Sequence, residues 1–415
     1  MNSLNSFIVI FFVALAVRLI NLAISDFSSG AMLFEDAALY WNKATSGQTF
    51  LDNARLAIFS QTERMPGYLL FLSSIVSIFG QNFIPVLVIQ SVIDSITCVL
   101  IGLLGCFAYP AHCKIFGLIA AFWPNLFIHS SMILADSLFL FLFVCFLLSF
   151  TSFLHKPTIL AAVVTGAALG LATLVRPTTQ FIILLAPVLL PLIMIISKLS
   201  VGRSVFNSLI IFLIAAVCVA PLSIRNFAKY DSFALTSQNG SHLQNWVASE
   251  VIMLRDGVER REAVAKLQTK TEKSLAKLSL NQQNNPFARS AQQVETALNE
   301  IAATPTHIIT KSWMQGAGIN LLAPALMIDK RVRQLPHVSF ASDTRGDLFS
   351  RVWQFLTGSS TVYVAIIFVS VTGAILVSII QLAGFFVLLR DNVILAVLCA
   401  LAVAYFIVLN GPVGS

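Results

Sequence analysis

Apolar runs long enough to cross a bilayer recur along most of this 415-residue chain, and that feature excludes a soluble fold. A spanning helix needs about 20 consecutive apolar residues. The composition agrees, with 57% apolar and 11% charged residues and a mean hydropathy of +0.85. Stretches such as Leu209 to Ala220 are apolar on every side, whereas strands of an outer-membrane barrel alternate in polarity. The chain reads as an all-α polytopic membrane protein.

Nine spans are expected, near residues 7–24, 83–107, 115–132, 136–154, 158–174, 179–197, 205–223, 361–389 and 392–410. The first has neither a basic start nor a small-residue cleavage site, so it is expected to be retained. Lys114, His155 with Lys156, Lys198 with Arg203, and Arg390 fall in loops on one face, which the positive-inside bias makes cytoplasmic. The opposite face receives residues 25–82, the turns at Asp136 and Arg176, and residues 224–360. Three regions follow: a membrane module over 1–223 with an outer loop at 25–82, an outer-face segment over 224–360, and C-terminal membrane helices over 361–415.

The formal charge of +7 sits largely beside spans, so it points to membrane lipids and to no nucleic acid. Six cysteines fall in or beside apolar runs without paired metal-ligand spacing, and no disulfide framework is expected. Gly67 to Gly80 is apolar but only about 14 residues long, too short to span, and is expected to lie along the interface. Mixed charges and leucines between 254 and 298 predict surface helices, broken at Asn281–Pro286 and resumed over 291–303. No internal repeat, Walker loop, dinucleotide fingerprint, zinc helix or nucleophile elbow occurs in the sequence.

Several constellations carry chemistry. Glu35 and Asp36 follow the first span at headgroup level, with Tyr40 one helical turn on. A carboxylate there can deprotonate an acceptor, or it can simply favour a helix start. Arg64, Arg176 and Arg225 stand at the outer boundary, where they can clamp phosphate oxygens or anchor helix ends among headgroups. Arg18 and Asp94 lie inside spans, where pairing with each other or a proton relay would account for them. Asp136 is read as a helix cap, with a metal or acceptor contact shared with His129 as the rival. The polar stretch Thr236 to Trp246, with Asn239 and His242, has the mixture of amides, hydroxyls and an aromatic that binds sugars, or is a plain loop.

Taken in order, these pieces resemble the membrane-embedded C-type glycosyltransferases that use polyprenyl-phosphate sugars, the class of the protein mannosyltransferases and the lipid A aminoarabinose transferase. Asp36 to Tyr40 resembles the acidic first loop, and Thr62-Glu63-Arg64-Met65-Pro66-Gly67-Tyr68 resembles the family's Arg-Pro-Pro-Gly-Tyr stretch, with Met65 in place of a proline. Ala135-Asp136-Ser137-Leu138, Gly170 to Thr178 and Ile224-Arg225-Asn226-Phe227 are similar to its later landmarks. The resemblance covers most of residues 1–246 and, more weakly, 290–325.

It implies inverting transfer of a sugar from a polyprenyl-phosphate carrier to an acceptor on the outer face of the membrane, here a bacterial inner membrane with the site facing the periplasm. Asp36 is implied as general base and Glu35 as a helper, in the reverse of the family's common Asp-Glu order. Arg64, Arg176 and Arg225 are implied as phosphate contacts, and Tyr40, Tyr68, Asn239, His242 and Trp246 as substrate contacts. No cofactor is required, although Glu35 with Asp36 can hold a divalent cation. Relatives continue into further spans, so a C-terminal truncation is expected after Ser415. The main rival is a transporter or flippase of lipid-linked sugars, which calls for related halves and a two-sided path.

Overall fold

The computed structural model describes residues 3–34, 36–338 and 348–410. Within them every regular element is a helix. The chain divides into two compact units: one runs to Thr236 and includes Leu388–Leu398, the other holds Ser237–Val387 and the chain from Cys399.

Among the described residues six helices are long and apolar enough to cross a membrane: Asn5–Ala23, Phe83–Cys106, Asp136–His155, Pro177–Ile196, Val201–Tyr230 and Thr361–Asp391. Where the third span is expected stands a bent pair, Pro110–Ala121 and Pro124–Ser130, angled by 52°, which makes up to seven if the pair is one span. The break has a local cause, because Pro124 offers no N–H and holds Trp123 in an extended conformation. The other two expected spans appear as the shorter apolar helices Ile159–Val175 and Val393–Leu409, so nine is not reached on length.

In the first unit, Ile159–Val175 packs mainly between Asp136–His155 and Val201–Tyr230. Its glycines permit the second contact: a Cβ at Gly166 would lie 2.6 Å from the Ile211 carbonyl oxygen, and one at Gly170 would lie 2.6 Å from Cys218 Cβ. Small residues four apart are the usual means of bringing membrane helices into van der Waals contact, since lipid supplies no hydrophobic drive between them. On Asp136–His155, Phe139, Phe143, Phe146, Phe150 and Phe153 form a buried column of successive ring contacts.

A charge lies at the heart of the N-terminal helices. Arg18 is fully buried, and its Nε donates to Asp94 Oδ2 at 2.6 Å. One Nη1 donates to the carbonyls of Ala14 and Ala121, each at 3.0 Å, and Nη2 approaches Cys98 Sγ at 3.0 Å. Ala121 ends the helix before the Pro124 break, so Arg18 caps a carbonyl that the break leaves without an intrahelical partner. Around this network pack Ile10, Ala14, Cys98, Ala120 and Ala121. The expected pairing of Arg18 with Asp94 is thus observed.

Two expectations change. Cys106 and Cys113 form a disulfide across the turn after Phe83–Cys106. It is one local bridge with a sequence separation of 7, a pairing that cysteine counting without the turn's path does not reveal. In the second unit, the Asn285 side chain accepts from the Phe287 and Ala288 N–H groups, so the helix expected over 291–303 begins at Pro286 and runs to Ala302. Asn285 and Pro286 are its start signal, where composition suggested part of a breaker. This helix joins Arg260–Leu275 and Ser249–Asp256 around Ala248, Ile252, Ala263, Leu267 and Ala297. Ion pairs Arg260–Glu250 and Arg255–Glu300 lie on the surface of that core.

Replacing Asp94 by Ala strands the Arg18 guanidinium in the protein interior, a loss that costs about 3–5 kcal/mol. The purified Asp94→Ala protein is expected to melt well below wild type in detergent, and Arg18→Met with Asp94→Leu to regain most of the difference. An Asp94→Ala protein with wild-type melting would contradict the structural role.

Candidate functional site

The loop after the first long helix folds into short helices: Asp36–Ala44, then Phe50–Arg55 continued by a π-helical turn over Leu56–Ser60, then Pro66–Phe79. Thr49 starts the second with a capping box, its hydroxyl accepting from the Asp52 N–H while the Asp52 carboxylate accepts from the Thr49 N–H. Pro66 opens the third at a position where a missing N–H costs nothing.

Gly67 fixes where that third helix begins. A Cβ on it would stand 2.6 Å from the Leu174 carbonyl oxygen, so the backbone of the Arg64–Tyr68 turn rests directly on the end of Ile159–Val175. The contact brings Arg64 to the neighbourhood of Arg176, the residue that follows that helix. Tyr68 turns inward and is fully buried, its hydroxyl donating to Gln90 Oε1 at 2.7 Å. Gln90 in turn donates to the Met132 carbonyl at 2.7 Å. Through this chain the Arg64–Tyr68 turn is pinned to Phe83–Cys106 and to the turn before Asp136.

Asp36 is the first residue of its helix, and its Oδ1 accepts from Arg64 Nη2 at 2.5 Å. The Asp36 side chain is 50% exposed and that of Arg64 only 16%, so the acid stands toward solvent with the arginine beneath it. Tyr40, one turn after Asp36, is buried, carries the Arg64 guanidinium 5.6 Å from its ring centre, and meets Tyr68 edge to face at 4.9 Å. A second pair adjoins: Arg176 is bonded to Asp136 and lies 5.9 Å from the centre of the Phe139 ring. The charges of Arg64, Arg176, Asp36 and Asp136 all act on the Tyr40 hydroxyl. Burial dominates and raises its pKa, against the pull of the two arginines, so Tyr40 is a neutral donor at physiological pH.

The structure therefore brings together Asp36, Tyr40, Tyr68, Arg64 and Arg176 from the expected set and adds Asp136. The cap reading of Asp136 is corrected: Ala135 holds the cap position without a side-chain bond, and Asp136 spends its carboxylate on Arg176. Tyr68 supports the site from below, since its hydroxyl is buried. Arg225 ties two elements together, donating from Nε to Asn226 Oδ1 at 2.9 Å and from Nη1 to the Ile58 carbonyl of the π-helical turn. Glu35 lies outside the described residues. Among those residues no three His, Cys, Asp or Glu side chains form a metal-binding group.

Asn239, His242 and Trp246 belong to the second unit. The stretch read as a polar loop is helical, Gln238–His242 followed by a π-helical turn over Leu243–Ala248. Gly240 explains the order, because its N–H donates to Ser290 Oγ at 3.0 Å and a Cβ there would collide with the Ser290 carbonyl. All three side chains are exposed. His242 Nε2 lies 2.6 Å from Gln238 Nε2, and the Arg260 guanidinium lies 5.0 Å from the centre of the Trp246 ring.

No protein-family model matches this chain, and no curated protein matches it. The fold defines its class, an all-α polytopic membrane protein.

Gly67→Val is expected to push the Pro66–Phe79 helix off Leu174 and Val175, an overpacking loss of about 1–3 kcal/mol read as a lower melting temperature. Wild-type melting in that variant would contradict the close approach.

Proposed function

We propose that the chain is an inverting glycosyltransferase that moves a sugar from a polyprenyl-phosphate carrier to an acceptor on the outer face of a bacterial inner membrane. The observation that carries the reading is the grouping of a half-exposed carboxylate, Asp36, with Arg64, Arg176 and a neutral Tyr40 beside the ends of membrane-length helices. In this reading the bent pair, Ile159–Val175 and Val393–Leu409 also cross the bilayer with the six long helices, giving nine crossings.

The chemistry asks for few groups. An acceptor hydroxyl attacks the anomeric carbon from the side opposite the phosphate, and its proton passes to Asp36. The bond from that carbon to the phosphate oxygen breaks, and its electron pair leaves with the phosphate. Arg64 and Arg176 offset the charge that builds on the departing phosphate. The sugar–phosphate bond already stores the activation, so positioning and one base complete the requirement.

A transporter would use a broken helix beside a buried charge as part of a path through the bilayer. Here Arg18 satisfies the carbonyl at that break and is itself paired with Asp94, which favours a fixed scaffold.

The test is release of polyprenyl phosphate from a panel of labelled carrier-linked sugars by detergent-purified protein with membrane extract. Asp36→Asn is expected to lose about 10²- to 10⁴-fold in turnover while keeping wild-type expression and melting. Near-normal turnover in that variant would overturn the assignment of the base.

A further inference from the structure

Arg64 and Asp36 are each needed elsewhere during the proposed reaction, the first on phosphate and the second on the acceptor's proton. In the structure they hold each other at 2.5 Å. While Asp36 Oδ1 accepts from Arg64, that oxygen is already occupied and is not open to an acceptor's proton. A guanidinium engaged with a carboxylate has already committed part of its fork of donors.

The surroundings treat the two partners differently. Arg64 lies low and mostly covered, with the Tyr40 ring beneath it, so its place does not rest on Asp36 alone. Asp36 is half exposed at the start of a nine-residue helix and can turn toward solvent without disturbing a core. Arg176 repeats the arrangement, with Phe139 as its aromatic support and Asp136 as its acid. Each arginine thus lies against a ring while one nitrogen of its fork is taken by a carboxylate. The donor's phosphate is a diester that carries one negative charge, as a carboxylate does, and its two unesterified oxygens fit the same fork; the charge that builds on it as the sugar leaves strengthens that hold.

We propose that Asp36 occupies the place on Arg64 that the carrier's phosphate takes, so that arrival of the phosphate frees Asp36 to act as the base. The inference rests on the transferase reading above. It makes binding ordered: the carboxylate is released for the acceptor only when the donor is present. The ligand chemistry is a phosphate anion, delivered either on a membrane lipid or free in solution.

The test measures binding of a short-chain polyprenyl phosphate, and separately of inorganic phosphate, to the full-length protein in detergent. Wild type is compared with Asp36→Asn and Asp36→Ser, each checked for monodisperse elution. Removing the competing acid is expected to tighten binding about threefold to fivefold, the scale of one half-exposed ion pair, although the same substitutions slow transfer by about 10²- to 10⁴-fold. The gain is expected to vanish in an Arg64→Gln background. Tightening with the lipid alone identifies a site reached from the membrane; tightening with both ligands identifies the anion as sufficient. Unchanged or weaker binding in both variants, or a gain that persists without Arg64, would overturn the exchange. Transfer by the same wild-type sample separates the claims: transfer without tightening removes the exchange and leaves the transferase, whereas neither transfer nor lipid binding removes both.

Discussion

A guanidinium within or beside apolar surroundings has to be met by an anion, and the first unit is arranged around three such meetings. Arg18 with Asp94 joins the Ser3–Ala23 and Phe83–Cys106 helices deep in the apolar core. Arg64 with Asp36 joins the turn before Pro66–Phe79 to the start of Asp36–Ala44, and Arg176 with Asp136 joins the ends of Ile159–Val175 and Asp136–His155. The first pair is fully enclosed, and the Arg18 guanidinium bonds to Asp94, Cys98 and the carbonyls of Ala14 and Ala121. The other two are partly open, where a charged ligand can compete for them. Burial thus separates a structural pair from pairs fit for chemistry.

Backbone proximity does the placing. Gly67 lets the Arg64–Tyr68 turn rest on the Leu174 carbonyl, and the Tyr68–Gln90–Met132 chain of hydrogen bonds fixes the turn from beneath. Both devices act on one short stretch of sequence, so the positions of Arg64 and of the Tyr40 ring packed on Tyr68 are set together. The result is a rigid floor of aromatic rings with an exposed acid above it, the arrangement a transfer site needs if its reacting groups are to hold their spacing.

The membrane character and the long spans were legible because a bilayer imposes length and apolarity on a single segment, as in Val201–Tyr230. The pairing of Arg18 with Asp94 was legible for a similar reason, since neither charge tolerates hydrocarbon alone. The Asp136–Arg176 pair was not, because an acid at a helix start has an ordinary local explanation and its partner lies 40 residues away. Gln90 was missed because one amide in an apolar span gives no sign of its partners. The Thr236–Trp246 stretch read as a loop from its polarity, yet Gly240 against Ser290, a contact made 50 residues away, holds it helical. Local pattern gave the elements, and long-range contacts decided what the polar residues do.

The central claim is that a phosphate carried by a lipid comes to rest on Arg64 and Arg176 above the Tyr40 ring. An experimental structure of the full-length protein with a short-chain polyprenyl phosphate bound tests it most directly. The account predicts phosphate oxygens within hydrogen-bonding distance of both guanidinium groups, with Asp36 turned away from Arg64. Phosphate bound elsewhere, with the Arg64–Asp36 and Arg176–Asp136 pairs intact, would contradict it.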